Sequence, residues 1–189
     1  MTSVSPELDT RFRAAAAKEG LLDVAYDVVE SPLGELFVGV SERGLCVISY
    51  EVDPDVQTER LARGFGSRVL RSPRPVDPAR RQLDEYFAGK RKQFDLDVDL
   101  SLARDFGRTV LEELGRVPFG EVTTYGALAA KAGKPKAARA VGTIMNRNPV
   151  PIVLPCHRVV GSTGSLVGYA GGLDRKRMLL ELEGALLGA

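Results

Sequence analysis

One cysteine and the only histidine of the chain are neighbours, in the run Pro155-Cys156-His157-Arg158. Cysteine reacts as its thiolate, and an unperturbed thiol with a pKa of about 8.5 is only a few per cent ionised at neutral pH. His157 and Arg158 are the two groups in the run that could promote this ionisation. An isolated cysteine is usually an inert buried residue, so the pairing with His157 is what indicates nucleophilic chemistry at Cys156.

The residues around this pair predict its backbone setting. An apolar run at 152–154 precedes the pair and Val159-Val160 follows it, which predicts that Cys156 and His157 lie at the end of a buried strand. Neighbouring residues of a strand point to opposite faces, so the two side chains could communicate only through a turn or a bridging water. The residues alone leave both alternatives open.

Three helices are predicted upstream of the pair. The first begins at Asp105 and carries one apolar stripe. Thr124 is expected to cap the second, which runs to about Ala132, and Pro135 to lie near the first turn of the third, which runs to about Asn146. The last two are short and are joined through a glycine-containing turn, which fits a helix-turn-helix.

The third of these helices is predicted to have two different faces. The apolar face carries Ala137, Val141, Ile144 and Met145, and the opposite face carries Arg139, Gly142, Thr143 and Asn146. Small side chains around one arginine permit close approach to a flat or grooved ligand. An ordinary solvent-exposed face is the alternative, and helix geometry alone does not separate the two.

Charge is distributed unevenly along a chain whose net charge is only +1. Residues 1–100 hold 14 Lys/Arg and 18 Asp/Glu, whereas residues 101–189 hold 12 and 7. Residues 115–158 contain seven basic residues and one acid, Glu121. A polyanion is therefore expected to bind the C-terminal half.

The first hundred residues predict a small sheet and one helix. Residues 1–20 are expected to be disordered or loosely helical. After a break at 73–78, Asp77-Pro78 is predicted to open a helix that ends at Phe87, and the alternation at 94–100 predicts an edge strand. Turn residues separate three strand-like runs, at 24–29, 35–40 and 44–50.

The predicted fold class is α+β, in two domains. A sheet-and-helix domain is expected over residues 21–100 and a mostly helical domain over residues 101–189, with the boundary near Ser101. No apolar run reaches the roughly 18 residues of a membrane helix, and the N-terminus lacks a signal-peptide pattern. Two cysteines and one histidine exclude a disulfide framework and a conventional zinc site. We therefore expect a cytoplasmic protein with no metal and no cofactor.

A longer stretch of sequence identifies a family. From Asn148 the chain reads NPVPIVLPCHRVVGSTGSLVGYAGGLDRKRMLLELEG, which strongly resembles the active-site signature of the O6-alkylguanine-DNA alkyltransferases. The resemblance continues back through VPFGEVTTYGALAAKAGKPKAARAVGTIMNRNP and more faintly into SPLGELFVGVSERGL. It covers about half of the chain closely and most of the rest loosely. Leu111 departs from it, because many relatives have tryptophan there.

The resemblance assigns four residues to the reaction. Cys156 corresponds to the alkyl acceptor, His157 to a base that acts through an ordered water, and Glu183 to the carboxylate that orients His157. Asn148 corresponds to an asparagine that hydrogen-bonds across the active-site turn. Without the resemblance, Glu183 would be interpreted as a solvated residue of the last helix.

The resemblance also implies how DNA is bound. The helix that carries Arg139, Gly142 and Thr143 would enter the minor groove of double-stranded DNA, where base readout is degenerate. Arg139 would fill the space left by the target nucleotide, and Tyr125 would help to rotate that nucleotide. Extrusion is required because a thiolate in a protein pocket cannot reach an atom inside a stacked duplex.

The segment 168–172 resembles the loop that closes over the extruded base. Tyr169 would pack on the base, and the backbone carbonyls of Cys156 and Val159 would accept hydrogen bonds from its exocyclic amine. Ala170 stands where some relatives have serine, so a backbone N–H would have to replace the serine hydroxyl as donor.

The predicted reaction is an in-line displacement at the alkyl carbon that leaves a stable thioether, so each molecule acts once. A monomer is expected; cooperative binding along DNA and activity on O4-alkylthymine are left open. Two other functions compete with this one. A non-catalytic, alkyltransferase-like lesion binder would lack the acceptor that Cys156 provides. A Cys-His hydrolase would need an oxyanion hole and would leave Arg139 unexplained.

Overall fold

The computed structural model describes residues 5–185, which form two compact units. The first comprises Met1–Arg91 with Asp95–Asp99, and the second comprises Lys92–Phe94 with Leu100–Ala189. The predicted α+β class is confirmed. Residues 1–4, which belong to the segment expected to be disordered or loosely helical, lie outside the described residues, as do residues 186–189.

The first unit is a four-stranded sheet with helices. The strands lie in the order β3-β2-β1-β4; β1 is antiparallel to β2, β2 to β3, and β1 is parallel to β4. Residues 6–18, for which disorder and helix were both open, are helical. The elements are α1 (Pro6–Lys18), β1 (Val24–Val29), β2 (Leu36–Ser41), β3 (Gly44–Ser49), α2 (Pro54–Phe65), β4 (Val69–Arg71) and α3 (Pro73–Phe87).

Burial of the central strands gives this unit its core. Residues of β1, β2 and β3 are buried at consecutive positions, and the ring of Tyr26 stacks on that of Phe37 with centroids 4.7 Å apart. The three predicted strands are confirmed to within one residue at each end. Runs of consecutive buried residues are typical of strands that are covered on both faces.

Four features of this unit differ from the sequence prediction. Helix α3 begins at Pro73 and not at Asp77-Pro78, because the first amides of a helix need no intrahelical acceptor and tolerate proline. Helix α2 was not predicted, although Asp53 caps it by accepting from two amides. Strand β4, three residues long, was also missed. The predicted edge strand at 94–100 is wrong: the segment pairs with Leu45 through a single bridge.

The second unit is mostly helical, as predicted. Helices α4, α5 and α6 pack together over a core that includes Val110, Leu114, Leu128, Val141 and Met145. None of the helices within residues 5–185 is long and apolar enough to cross a membrane. The elements are α4 (Asp105–Gly115), β5 (Thr123–Thr124), α5 (Tyr125–Lys131), α6 (Ala138–Asn146), β6 (Val159–Val160) and α7 (Leu173–Leu182).

The predicted pair of short helices is confirmed, with one correction. The Thr124 hydroxyl caps α5 by accepting from the Ala127 amide at 3.1 Å. Helix α6 begins at Ala138, so Pro135 lies in the turn before the helix and not in its first turn. Gly133, with φ of +80°, supplies the left-handed residue that reverses the chain between the two helices.

Candidate active site

Cys156 and His157 lie in a turn, and the predicted buried strand before them is wrong. Residues 149–154 form turns in which Ile152 adopts a left-handed φ of +76°, and Cys156–Arg158 form one turn of 3₁₀ helix. Pro149, Pro151 and Pro155 lack backbone donors, which prevents this stretch from joining a strand ladder. The chain straightens only at β6, which pairs in parallel with β5.

Asn148 holds this turn from both sides. Its Nδ2 donates to the Leu154 carbonyl at 2.8 Å, and its Oδ1 accepts from the Val150 amide at 3.1 Å. These two bonds close the loop that carries the chain to Cys156. The position is the one that the resemblance assigns to an asparagine bridging the active-site turn.

Glu183 is the centre of a buried cluster of hydrogen bonds. It follows the last residue of α7, and its side chain is fully buried. It accepts from His157 Nε2 at 2.9 Å, from Arg158 Nε and Nη2 at 2.8 Å each, and from the Gly120 amide at 3.3 Å. Burial alone would raise the pKa of Glu183, but the bonds from His157 and Arg158 outweigh it and lower the pKa to about 2.

The hydrogen bond to Glu183 fixes the tautomer of His157. An ionised Glu183 can only accept, so His157 Nε2 carries the proton in their bond. Its Nδ1 is buried and has no hydrogen-bond partner within residues 5–185, which leaves that lone pair available. Burial lowers the pKa of His157 below its ordinary value, and the hydrogen bond to Glu183 opposes this effect. The lowered pKa favours the neutral form of the ring.

Cys156 is a buried thiol with a raised pKa. It is 4% exposed, and burial raises the pKa of its thiol to about 11, although the Asn148 side chain and the charge of Lys176 act in the opposite direction. At pH 7 a thiol with that pKa is ionised to about one part in 10⁴. Within residues 5–185, no hydrogen bond joins the Cys156 thiol to His157 Nδ1.

Lys176 is a buried group that the sequence reasoning missed. Its Nζ donates to the carbonyls of Val159 at 2.6 Å, Val167 at 2.8 Å and Gly168 at 3.3 Å. Burial lowers the pKa of Lys176 to about 8, while the neighbouring Cys156 acts to raise it. Lys176 thus ties the strand after the active-site turn to the loop before α7.

A helical pattern could have revealed this lysine. Lys176, Leu179, Leu180 and Glu183 recur at intervals of three and four residues, and all four are buried. A charged residue in phase with the apolar face of a helix indicates a buried charge that needs partners. The carbonyl oxygens of Val159, Val167 and Gly168 supply those partners here.

The predicted pocket residues lie around that loop. The Tyr125 hydroxyl donates to the Val167 carbonyl at 3.1 Å, so Val167 accepts from both Tyr125 and Lys176. Gly168 has φ of +49°, and Tyr169 and Ala170 follow it, half-buried and exposed respectively. The Val159 carbonyl, expected to accept from a guanine amine, already accepts from Lys176, and a carbonyl oxygen has a second lone pair for a ligand.

The residues predicted to touch DNA are exposed on α6. Arg139 and Thr143 face solvent, and the Thr143 hydroxyl donates to the Arg139 carbonyl at 3.4 Å. Gly142 is half-buried, and a side chain there would touch the Tyr125 ring at 3.9 Å. The structure thus brings Cys156, His157, Glu183 and Asn148 together around the turn. Tyr125, the first residue of α5, bonds to the loop before α7, whereas Arg139 and Thr143 are exposed on α6.

Comparison with known proteins gives a match to each unit. Residues 24–100 match the family described as 6-O-methylguanine DNA methyltransferase, ribonuclease-like domain, and residues 105–185 match its DNA binding domain. A methylated-DNA–protein-cysteine methyltransferase of Methanosarcina barkeri is 40% identical over 166 residues, which is 84% of this chain and 96% of that protein.

Solved structures give the same result. The O6-methylguanine methyltransferase of Mycobacterium tuberculosis superposes with a TM-score of 0.74 at 37% identity, over 88% of this chain and 96% of that one. The OGT protein of the same organism in complex with DNA superposes with a TM-score of 0.74 at 36% identity, over 85% of this chain and 93% of that one. The chain belongs to the methylated-DNA–protein-cysteine methyltransferase family.

Proposed function

We propose that this protein repairs DNA by moving an alkyl group from the O6 atom of guanine to Sγ of Cys156. The observation that carries the proposal is the buried Cys156 thiol beside a neutral His157, which an ionised Glu183 fixes in one tautomer. This is the order of nucleophile, base and orienting acid that activates a thiol. A non-catalytic lesion binder is not favoured, since the relatives are methyltransferases and the acceptor cysteine is present.

The proposed reaction balances without a cofactor. His157 Nδ1 takes the Cys156 proton through a bridging water, and the thiolate attacks the alkyl carbon on the side opposite O6. The carbon–oxygen bond breaks as the carbon–sulfur bond forms, and its electrons remain on guanine. Guanine takes a proton at N1 from water, and His157 returns to water the proton that it took from Cys156. The products are an unmodified guanine and a thioether, which no group of the described site can cleave.

The DNA arrangement is a second part of the proposal. Helix α6 binds the minor groove of duplex DNA, and the damaged nucleotide rotates into the protein past Tyr125. Support comes from the exposed position of Arg139 on α6 and from the position of Gly142 beside the Tyr125 ring. Val159, Tyr169 and Ala170 then surround the extruded base, with Gly168 giving the loop its left-handed turn.

We propose that residues 21–100 and 101–189 act as separate domains, the second carrying both DNA binding and chemistry. The matches at 24–100 and 105–185 support this division. We also propose a monomer that acts in the cytoplasm. Support for that compartment comes from Cys46 and Cys156, which are both free thiols, as a reducing environment requires.

The transfer itself is tested by stoichiometry. When the protein is incubated with excess duplex containing one O6-methylguanine, repaired guanine is expected to reach one per protein molecule and then stop. Intact mass should rise by one methyl group, and peptide masses should place that group on Cys156. Continued turnover, or a methyl group on Cys46, would contradict the proposal; an unmodified duplex is the control.

Arg139 is expected to serve extrusion and not the chemical step. Rotating the nucleotide out of the duplex costs a few kcal/mol of unstacking, which Arg139 would offset by filling the vacated space. Arg139→Ala should therefore slow repair of duplex DNA by about 10²-fold. Reaction with the free base O6-methylguanine should change little. Single-turnover rates on the two substrates make the comparison.

Lys136→Ala is the matched control for Arg139→Ala, because Lys136 is an exposed cation in the turn before α6. A phosphate contact at Lys136 predicts weaker binding to all DNA and a salt dependence reduced by about one counterion. Equal losses on duplex and free base in Arg139→Ala would mean that Arg139 supports the pocket or the fold.

A further inference from the structure

Arg158 makes several hydrogen bonds in the buried cluster around Glu183. Its Nε and Nη2 bind the two carboxylate oxygens of Glu183 at 2.8 Å each, in a forked arrangement. Its Nη1 donates to the Val117 carbonyl, and its guanidinium lies 5.9 Å from the centre of the Phe119 ring. Three nitrogens of Arg158 thus donate hydrogen bonds to Glu183 and Val117, and the guanidinium also lies near Phe119.

The carboxylate of Glu183, with its single negative charge, therefore accepts hydrogen bonds from two side chains, His157 and Arg158, and from one backbone amide. Oε1 accepts from both His157 Nε2 and Arg158 Nη2, whereas Oε2 accepts from Arg158 Nε and the Gly120 amide. A buried carboxylate facing only a histidine would draw a proton onto the pair. The positive charge of the Arg158 guanidinium compensates the carboxylate through the forked pair of hydrogen bonds.

We propose that Arg158 is a positioning residue that keeps Glu183 ionised and His157 neutral, with the His157 proton on Nε2 and the lone pair of Nδ1 turned toward the proton path. This inference rests on the proposed function for its effect on rate, but not for the state of the His157 ring. The sequence alone suggested a direct action of Arg158 on Cys156, whereas its contacts are with Glu183 and Val117.

All charged groups near the imidazole bear on this balance. Glu183 faces Nε2 and stabilises the protonated ring, while Arg158 from the same turn and Lys176 from α7 disfavour it. Cys156 is the remaining titratable neighbour and is uncharged at neutral pH. Removing the Arg158 charge leaves Glu183 opposed by fewer cations, so the Glu183–His157 pair should bind its proton at a higher pH.

The test uses the fact that His157 is the only histidine in the chain. Nitrogen and carbon NMR of histidine-labelled, untagged protein therefore reports one ring, its tautomer and its protonation midpoint, with no need for activity. The unsubstituted protein should show a neutral ring protonated on Nε2 at pH 7. A doubly protonated ring, or a proton on Nδ1, would overturn the proposal before any variant is made.

Three variants then separate charge from packing. Arg158→Gln should raise the protonation midpoint of His157 by about one pH unit or more, because a nearby cation is lost. Arg158→Lys keeps the charge without the fork and should shift the midpoint less. Glu183→Gln should lower the midpoint. Arg116→Gln, which removes an exposed arginine paired with Glu113, is the matched control and should change nothing.

The same shift should be visible in the rate of methyl transfer. A base works only when unprotonated, so the acidic limb of the single-turnover pH profile of Arg158→Gln should move to higher pH, with the rate recovering above that limb. If Arg158→Gln does not fold, the protonation midpoint of His157 and the pH profile of Arg158→Lys, which loses the forked hydrogen bonds, provide the test. Folded variants with the ring state and pH profile of the unsubstituted protein would reduce Arg158 to a packing role. Absence of methyl transfer in the unsubstituted protein would instead contradict the proposed function and leave the NMR result standing.

Discussion

Cys156→Ser is expected to abolish alkyl transfer and to leave DNA binding largely intact. An alcohol is a far weaker acid than a thiol, and removal of a nucleophile from an active site that works as a unit costs on the order of 10⁶-fold in rate. The substitution removes one buried sulfur but adds no bulk. Single-turnover transfer from a duplex with one O6-methylguanine, together with an equilibrium binding measurement on the same duplex, checks both parts.

Cys46 provides the matched control. It is also a free, buried cysteine, but it lies on β3 in the first unit, donates to the Gly39 carbonyl, and has a pKa that burial raises to about 12. Cys46→Ser should therefore transfer at the parent rate. Transfer by folded Cys156→Ser, or its loss in folded Cys46→Ser, would remove Cys156 from the role of acceptor.

Features governed by local sequence were predicted well. Strand β1 has the predicted bounds, Thr124 caps α5, and Val141 and Met145 bury the predicted face of α6. Each depends on residues within one or two turns of one another, so pattern and capping chemistry are sufficient. Helix α3 shows the limit, because its three prolines suggested a break, although the first turn tolerates Pro73 and Pro75 and the helix continues through Pro78.

Features that depend on distant partners could not be read from the residues alone. Glu183 lies 26 residues from His157 in sequence and would pass for a surface carboxylate, so only the family resemblance singled it out. The helical pattern of α7 could have shown that Lys176 is buried, but no local pattern identifies its partner Val159, or the partner Val117 of Arg158. The turn before Cys156 was hidden by an apolar run, since burial of Ile152 does not reveal its left-handed backbone.

The second large effect is expected from loss of the base. His157→Ala or Glu183→Gln should slow single-turnover transfer at pH 7 by about 10²- to 10⁴-fold, which is the usual value of general-base catalysis. The double variant should be little slower than His157→Ala, because Glu183 acts through His157 and the two losses are not additive. Glu181→Gln, an exposed carboxylate on α7, is the matched control and should react at the parent rate.

The pH profile distinguishes this base from a structural support. Without His157 the thiolate must form unaided, so the rate of His157→Ala should rise about tenfold per pH unit toward the Cys156 pKa of about 11. Unsubstituted protein should instead be flat once His157 is neutral. Glu183→Gln leaves Arg158 without its carboxylate and should also lower Tm, so rates are compared where each variant is folded. A folded His157→Ala that reacts at the parent rate at pH 7 would show that Cys156 is activated by another group. Lys176, whose charge lowers the pKa of Cys156, would then be the cation to examine.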